Sequence, residues 1–275
     1  MVLKFIPNLM QKNQLAIVAN STAFFLLAYL FAFLLFQSFT VIAALLFDFT
    51  VEVNYTRIFF LVKRSEWSFD SVKTIFSSGP IISFIVSIAM IAIAVRFKEY
   101  NGLLKLFFLW AFIHCINLLL GPAFAGALLG EGFGHVLIWL FLPDTGKLLV
   151  TLISLFLLAI VGFSISGLFM LGANTYYNQL KPENVRRFLL NQAILPYIIG
   201  TAIIVLIRLP LEYYDVALLL TPIIILLTVL LNSTGRPTLF FDEVPKNIKI
   251  NGSLVATAII VLLIYRIGLS LPIRF

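Results

Sequence analysis

Long apolar runs separated by short charged stretches set the pattern of this chain. Residues 16–47 carry no charge over about 32 positions. At 1.5 Å per residue such a helix reaches about 48 Å, beyond a hydrocarbon core of about 30 Å. It predicts a first span that tilts or projects. Further spans follow at residues 80–95, 105–129, 148–171, 182–208, 216–231 and 254–271. Residues 132–142 are apolar, too short to cross and too apolar for a loop, which predicts a re-entrant half-helix. The runs are apolar on all sides rather than alternating, so the spans read as helices, not barrel strands. The expected fold is all-α: a polytopic helical membrane protein forming one transmembrane domain over 1–275, with seven spans and one half-helix.

The polar intervals have patterns of their own. In residues 1–13, Val2, Leu3, Ile6, Leu9 and Met10 recur at helical spacing away from Lys4 and Lys12. This predicts a helix in the headgroup layer, interrupted near Pro7. Residues 48–78 read as an amphipathic connector or, more sharply, as a lid over a substrate path. Val51, Val53 and Tyr55 alternate like a strand, and Ser68 is placed to cap a helix carrying Phe69, Val72 and Phe76 on one face. Pro182 and Glu183 suit a helix start, and Pro196 should kink the helix that follows. Residues 232–250 read as a cytoplasmic loop.

Composition sharpens this reading. Hydrophobic residues make up 61% and charged residues only 11%, against about 25% charged in soluble domains. The net charge of +7 does not point to nucleic acid, because the basic residues are dispersed through short loops, as membrane topology requires. An inside N-terminus puts Lys4, Lys12, Arg96, Lys98, Lys105, Lys181, Arg186, Arg187, Arg236, Lys246 and Lys249 on the cytoplasmic side. Arg57, Lys63, Arg64, Lys73, Lys147, Arg208 and Arg274 then face outward. The expected location is a bacterial cytoplasmic (inner) membrane. The first apolar run is too long for a signal-peptide core and reads as an uncleaved span. A single cysteine excludes an intrachain disulfide.

Candidate chemistry concentrates between Trp110 and Trp139, which hold His114, His135, Cys115 and Glu131 among several glycines. His114, Asn117 and Gly121 share a helix face. They form either a polar strip along a substrate or proton path, or a set of interhelical hydrogen bonds with a close-packing glycine. Glu131 and His135 sit four apart and complete the candidate path. A simple turn near Gly130 would leave His114 about 24 Å below it along a helix, far from His135. With no HExxH present, no metal and no cofactor are expected. Gly126 and Gly130, and Gly162 and Gly167, mark helix-packing faces. Cys115 points elsewhere, as an apolar filler. Arg208 and Glu212 have the spacing of a helical ion pair, and Arg266 is placed to snorkel toward the terminal interface.

No nucleophile elbow, phosphate loop or paired acidic motif assigns catalytic residues. The first functional expectation is a transporter-like or channel-like protein for a small solute, using His114, Asn117, Gly121, Glu131 and His135. The second is a non-catalytic subunit or scaffold of a larger membrane complex. The third is an intramembrane enzyme using His114, Glu131 and His135. Expected partners are the lipid bilayer and other membrane subunits or a second copy of the chain.

Overall fold

The computed structural model describes residues 5–234, 237–242, 246 and 248–275. Residues 1–4 of the expected headgroup helix, and Gly235, Arg236, residues 243–245 and Asn247 of the 232–250 loop, lie outside them. Among the described residues ten α-helices follow in order: α1 Phe5–Leu45, α2 Phe69–Arg96, α3 Leu104–Leu129, α4 Gly134–Trp139, α5 Asp144–Leu171, α6 Pro182–Leu189, α7 Leu195–Arg208, α8 Tyr213–Leu220, α9 Pro222–Leu231 and α10 Gly252–Gly268. Among the described residues, six helical stretches are long and apolar enough to cross a membrane: Asn13–Leu45, Phe69–Arg96, Leu104–Leu129, Asp144–Thr175, Pro182–Arg208 and Tyr213–Leu231. Gly252–Gly268 is apolar and shorter.

The radial distribution of side chains is that of a membrane protein. The inward face of α5 carries Thr151, Ser154, Gly162 and Ser166, while Leu148, Leu149, Leu152, Ile153 and Phe156 are exposed. On α2, Ser71, Gly79, Ser83 and Ser87 are buried, while Ile81, Phe84, Ile85 and Ile88 are exposed. Small residues let helix backbones approach, and lipid solvates the large apolar ones. Most of these hydroxyls satisfy themselves locally: Ser154 Oγ donates to the Val150 carbonyl at 2.7 Å and Thr151 Oγ1 to the Lys147 carbonyl at 2.9 Å.

Several boundaries differ from the sequence reading. The chain from Phe5 enters the first span as one continuous helix. Pro7 falls in its first turn, where an amide would have no helical acceptor anyway. The amphipathic helix after Ser68 and the span expected from residue 80 are likewise one helix, α2, with Pro80 in its interior. Ser68 caps it as expected, accepting from the Ser71 amide at 3.1 Å.

Prolines shape the other half of the bundle. Leu190–Ile194 forms a π-helical turn between α6 and α7, just before Pro196. Pro196 has no N–H to offer, and the Gln192 carbonyl accepts from Ser21 Oγ of α1 at 2.5 Å. Ser21 Oγ in turn accepts from Trp110 Nε1 of α3 at 3.0 Å. Pro222 separates α8 from α9 and leaves the Leu218 carbonyl without its helical donor. Asn117 Nδ2 of α3 supplies one at 2.9 Å.

α3 is the central helix, packed by α1, α2, α4, α5 and α8. Over one end of the bundle lies a small antiparallel sheet in the order β2–β1–β5, with β1 Val51–Val53, β2 Ile58–Phe60 and β5 Ile273–Arg274. Its register pairs Val51 with Phe60, and Val53 with both Ile58 and Ile273. At the other end β3 Gln179–Leu180 pairs with β4 Leu239–Phe240.

Candidate functional site

Between α1, α2, α3, α4, α7 and α8 lies a cavity of about 350 Å³. His114, Asn117, Glu131 and His135 all line it. Gly121 does not. It packs where α8 meets α9, and an added Cβ would stand 3.1 Å from Leu218 Cδ2 and 3.2 Å from Thr221 Oγ1.

The two histidines share one cavity because α4 turns back into the bundle. Gly130 ends α3 in the left-handed conformation, φ 73°, and Gly132 adopts φ 54°. A Cβ on Gly132 would also collide with the Tyr214 hydroxyl, at 2.4 Å. The chain then runs back along α3 until Gly134 meets Gly126 backbone to backbone. A Cβ on Gly134 would stand 2.2 Å from the Gly126 carbonyl oxygen. Glycine at both positions is what the contact requires. His135 follows and rests against Phe76 of α2, with ring centroids 4.9 Å apart.

His114 sits in an aromatic cage. Its ring lies 4.6 Å from Phe25, 5.5 Å from Tyr29 and 6.3 Å from Trp110, centroid to centroid. It is 5% exposed and donates to the backbone carbonyl of Phe25. Its Nε2 has no partner among the described residues. Thr201 Oγ1, on the α7 wall of the same cavity, also has none there. Asn117 is fully engaged between helices: besides the Leu218 contact, its Oδ1 accepts from Thr221 Oγ1 at 2.6 Å. Cys115 turns away from the cavity and packs with Ala32 and Leu118.

The charged groups around the cavity pair differently from the expected Arg208–Glu212 contact. α7 ends at Arg208, so helical i,i+4 spacing does not apply across Pro210. Arg208 is buried and donates to Asp215 Oδ1 at 2.9 Å, the Tyr29 hydroxyl at 2.8 Å and the Thr56 carbonyl at 2.6 Å. Its guanidinium also lies 4.3 Å from the centre of the Phe33 ring. Glu212 instead pairs with Arg57, and both side chains are roughly half exposed, which marks this end of the cavity as its mouth. Arg266 stacks 3.5 Å over the Tyr55 ring. Tyr29 arrives from α1, Thr201 and Arg208 from α7 and Asp215 from α8, so no single stretch of the sequence signals the set.

The glycine faces divide. Gly126 makes the α4 contact above, and an added Cβ on Gly130 meets only Ile138 Cδ1, at 3.6 Å. A Cβ on Gly162 would stand 1.9 Å from Thr228 Oγ1 and 2.2 Å from the Ile225 carbonyl oxygen. Gly167 has nothing within 4 Å, so no close approach demands glycine there. Among the described residues no three His, Cys, Asp or Glu side chains group so as to hold a metal ion.

The fold and site define a helical integral membrane protein with an internal cavity, largely apolar in lining, into which a few polar side chains are set. No protein-family model, curated protein or solved structure matches the chain.

Proposed function

We propose that the protein takes up a small solute in this cavity and passes it across the membrane. The observation that carries this reading is the convergence of His114, Asn117, Glu131 and His135 on one cavity of about 350 Å³. That volume lies within the roughly 300–1,000 Å³ of small-molecule sites. Polar groups held at membrane depth are costly and are functional candidates by default. Beside His114 the Phe25 ring packs edge-on against Trp110 and Tyr197, 5.0 and 6.1 Å between centroids, and passage on this reading needs that aromatic packing to rearrange. α7 is the element placed to move, since the π-helical turn and Pro196 interrupt its hydrogen-bond ladder.

Seven crossings are part of the proposal. α10 starts beside Asn20, whose Oδ1 accepts from the Asn251 amide at 2.8 Å, and ends beside Tyr55, whose amide donates to the Leu269 carbonyl at 3.1 Å. It therefore runs alongside the middle part of α1, about 25 Å by its 17 residues. We also read α4 as a re-entrant half-helix that lines the path. The N-terminus is read as cytoplasmic in a bacterial inner membrane, with the cavity mouth on the outer face, from the distribution of loop lysines and arginines.

The test is reconstitution into liposomes, with light scattering after mixing with small neutral solutes such as glycerol, urea and erythritol. Flux above that of empty liposomes, lost in Thr201→Trp, supports the reading. Rates equal to empty liposomes for every solute, from protein that still melts cooperatively, contradict it.

A further inference from the structure

The chemistry at the inner end of the cavity narrows the solute class, an inference that rests on the cavity being a solute site. His114 donates one ring N–H to the Phe25 carbonyl, and Nε2 has no partner among the described residues. Nδ1 is therefore the donor, and Nε2 of that neutral tautomer presents a lone pair. An imidazolium here would be a buried cation with no carboxylate among its contacts, a costly arrangement. A solute reaching this end must bring a hydrogen-bond donor to His114.

Charge limits the donor further. Arg208 donates to the Tyr29 hydroxyl at 2.8 Å, and the Tyr29 ring lies 5.5 Å from His114. Asp215 balances that guanidinium at 2.9 Å and is thereby engaged, so an ammonium head would be desolvated here without a free counter-charge of its own. A carboxylate would set its own lone pairs against that of Nε2. A neutral hydroxyl meets neither penalty. Thr201 Oγ1, also without a partner among the described residues, adds a hydroxyl able to donate or accept. The walls that receive the rest of the molecule are aromatic: Phe25, Tyr29, Phe33, Phe36 and Tyr197. Such walls favour a flat or apolar body.

We propose that the inner end of the cavity recognises the hydroxyl of a neutral alcohol or phenol, its O–H donating to His114 Nε2 while its apolar body lies against the aromatic wall.

The experiment is calorimetric titration of the full-length protein in lipid nanodiscs, with empty nanodiscs subtracted for partitioning. The probes are 2-naphthol, 2-methoxynaphthalene, which lacks the donor, and 2-naphthylmethylamine, which is charged at neutral pH. The expected order has 2-naphthol tightest, roughly tenfold over the methyl ether, equivalent to about 1.4 kcal/mol. His114→Phe, which removes the acceptor, should erase that preference. His114→Gln, which keeps a carbonyl acceptor and guards against a folding defect, should retain it. Equal binding of 2-naphthol and its methyl ether, or tightest binding of the amine, overturns the hydroxyl assignment while leaving a solute cavity. Failure of all three probes to bind overturns the assignment too. If the cavity is then also closed to aqueous thiol reagents, the solute reading itself falls.

Discussion

Asn117 Nδ2 donates at 2.9 Å to the backbone carbonyl of Leu218, the carbonyl that Pro222 leaves without a helical partner. A polar side chain of the central helix thereby closes a gap in its neighbour's hydrogen-bond ladder, in an interior where no backbone group goes unpaired cheaply. Removing the amide leaves the Leu218 carbonyl with the Thr221 hydroxyl alone, at 3.0 Å. Asn117→Ala should lower stability by about 1 kcal/mol, the net worth of one buried hydrogen bond. Adding Pro222→Ala, which restores an N–H one turn along, should recover part of the loss. Thermal unfolding of the single and double variants in detergent checks this. An additive double variant would mean the two residues are not coupled.

Gly162 and Gly167 of α5 should respond in opposite ways. Gly162→Ala forces a methyl into Thr228 and the Ile225 carbonyl, and overpacking of this kind costs about 1–3 kcal/mol. Gly167→Ala meets open space and replaces a poor helix former, so it should be neutral or stabilising by up to about 1 kcal/mol. Melting temperatures of the two variants, measured side by side, decide it. A loss at position 167 as large as that at 162 would mean Gly167 faces a partner outside this chain.

Much of this architecture was legible in the chain itself, and the exceptions have physical causes. Ser68 announced its helix because capping is local chemistry, and the alternation at Val51 and Val53 marked a strand for the same reason. Pro80 misled as a helix start. A proline inside a long membrane helix costs one hydrogen bond, which packed neighbours tolerate. The Arg208–Glu212 spacing implied a pair only if one helix continued through both residues, and α7 stops at Arg208. The hairpin reading kept His114 and His135 far apart along α3, and that separation stands: α4 folds back and meets α3 at Gly126, twelve residues beyond His114 or about 18 Å along the helix, so the two histidines share a cavity and not a contact. Tyr29, Thr201 and Asp215 join the cavity only through the packing of α1, α7 and α8, which no spacing in one sequence encodes.

The buried Arg208–Asp215 pair should behave as a coupled unit. Both side chains are largely shielded, 3% and 18% exposed. Asp215→Ala leaves a buried guanidinium without its counter-charge, a change that costs about 3–5 kcal/mol. Arg208→Met combined with Asp215→Leu removes both charges and should retain more stability than Asp215→Ala alone. Chemical unfolding of each variant measures the coupling. Equal losses in both would show that the ion pair contributes nothing beyond its packing.

At the opposite end of the bundle, Asp242 links the segments around Asn101, Asn178 and Lys246. It accepts from Lys246 Nζ at 2.5 Å, Asn101 Nδ2 at 3.1 Å and Asn178 Nδ2 at 3.2 Å. The Lys246 hydrogen bond is the largest influence and holds the carboxyl below its ordinary 3.8. A depressed carboxyl contributes stability above its unfolded pKa and loses it as pH falls through the folded one. The clamp should therefore hold at neutral pH and release only as pH falls below the ordinary 3.8. Hydrogen exchange at Asn178–Leu180 should speed up on acidification in the natural protein and already be fast in Asp242→Asn. Protection unchanged by acid would contradict the assignment.

The central claim is that a water-accessible cavity opens on one face of the membrane and reaches His114. In a Cys115→Ser background, cysteines placed one at a time at Thr201 and Thr40 sample the inner wall and a position nearer the mouth. Right-side-out vesicles are treated with a membrane-impermeant methanethiosulfonate, and remaining thiols are counted by mass. We predict that both positions react from the outer face, Thr40→Cys faster than Thr201→Cys, and that bound 2-naphthol protects Thr201→Cys. A Thr201→Cys thiol inert from the outer face, in protein whose Thr40→Cys thiol reacts, would contradict a cavity extending to His114.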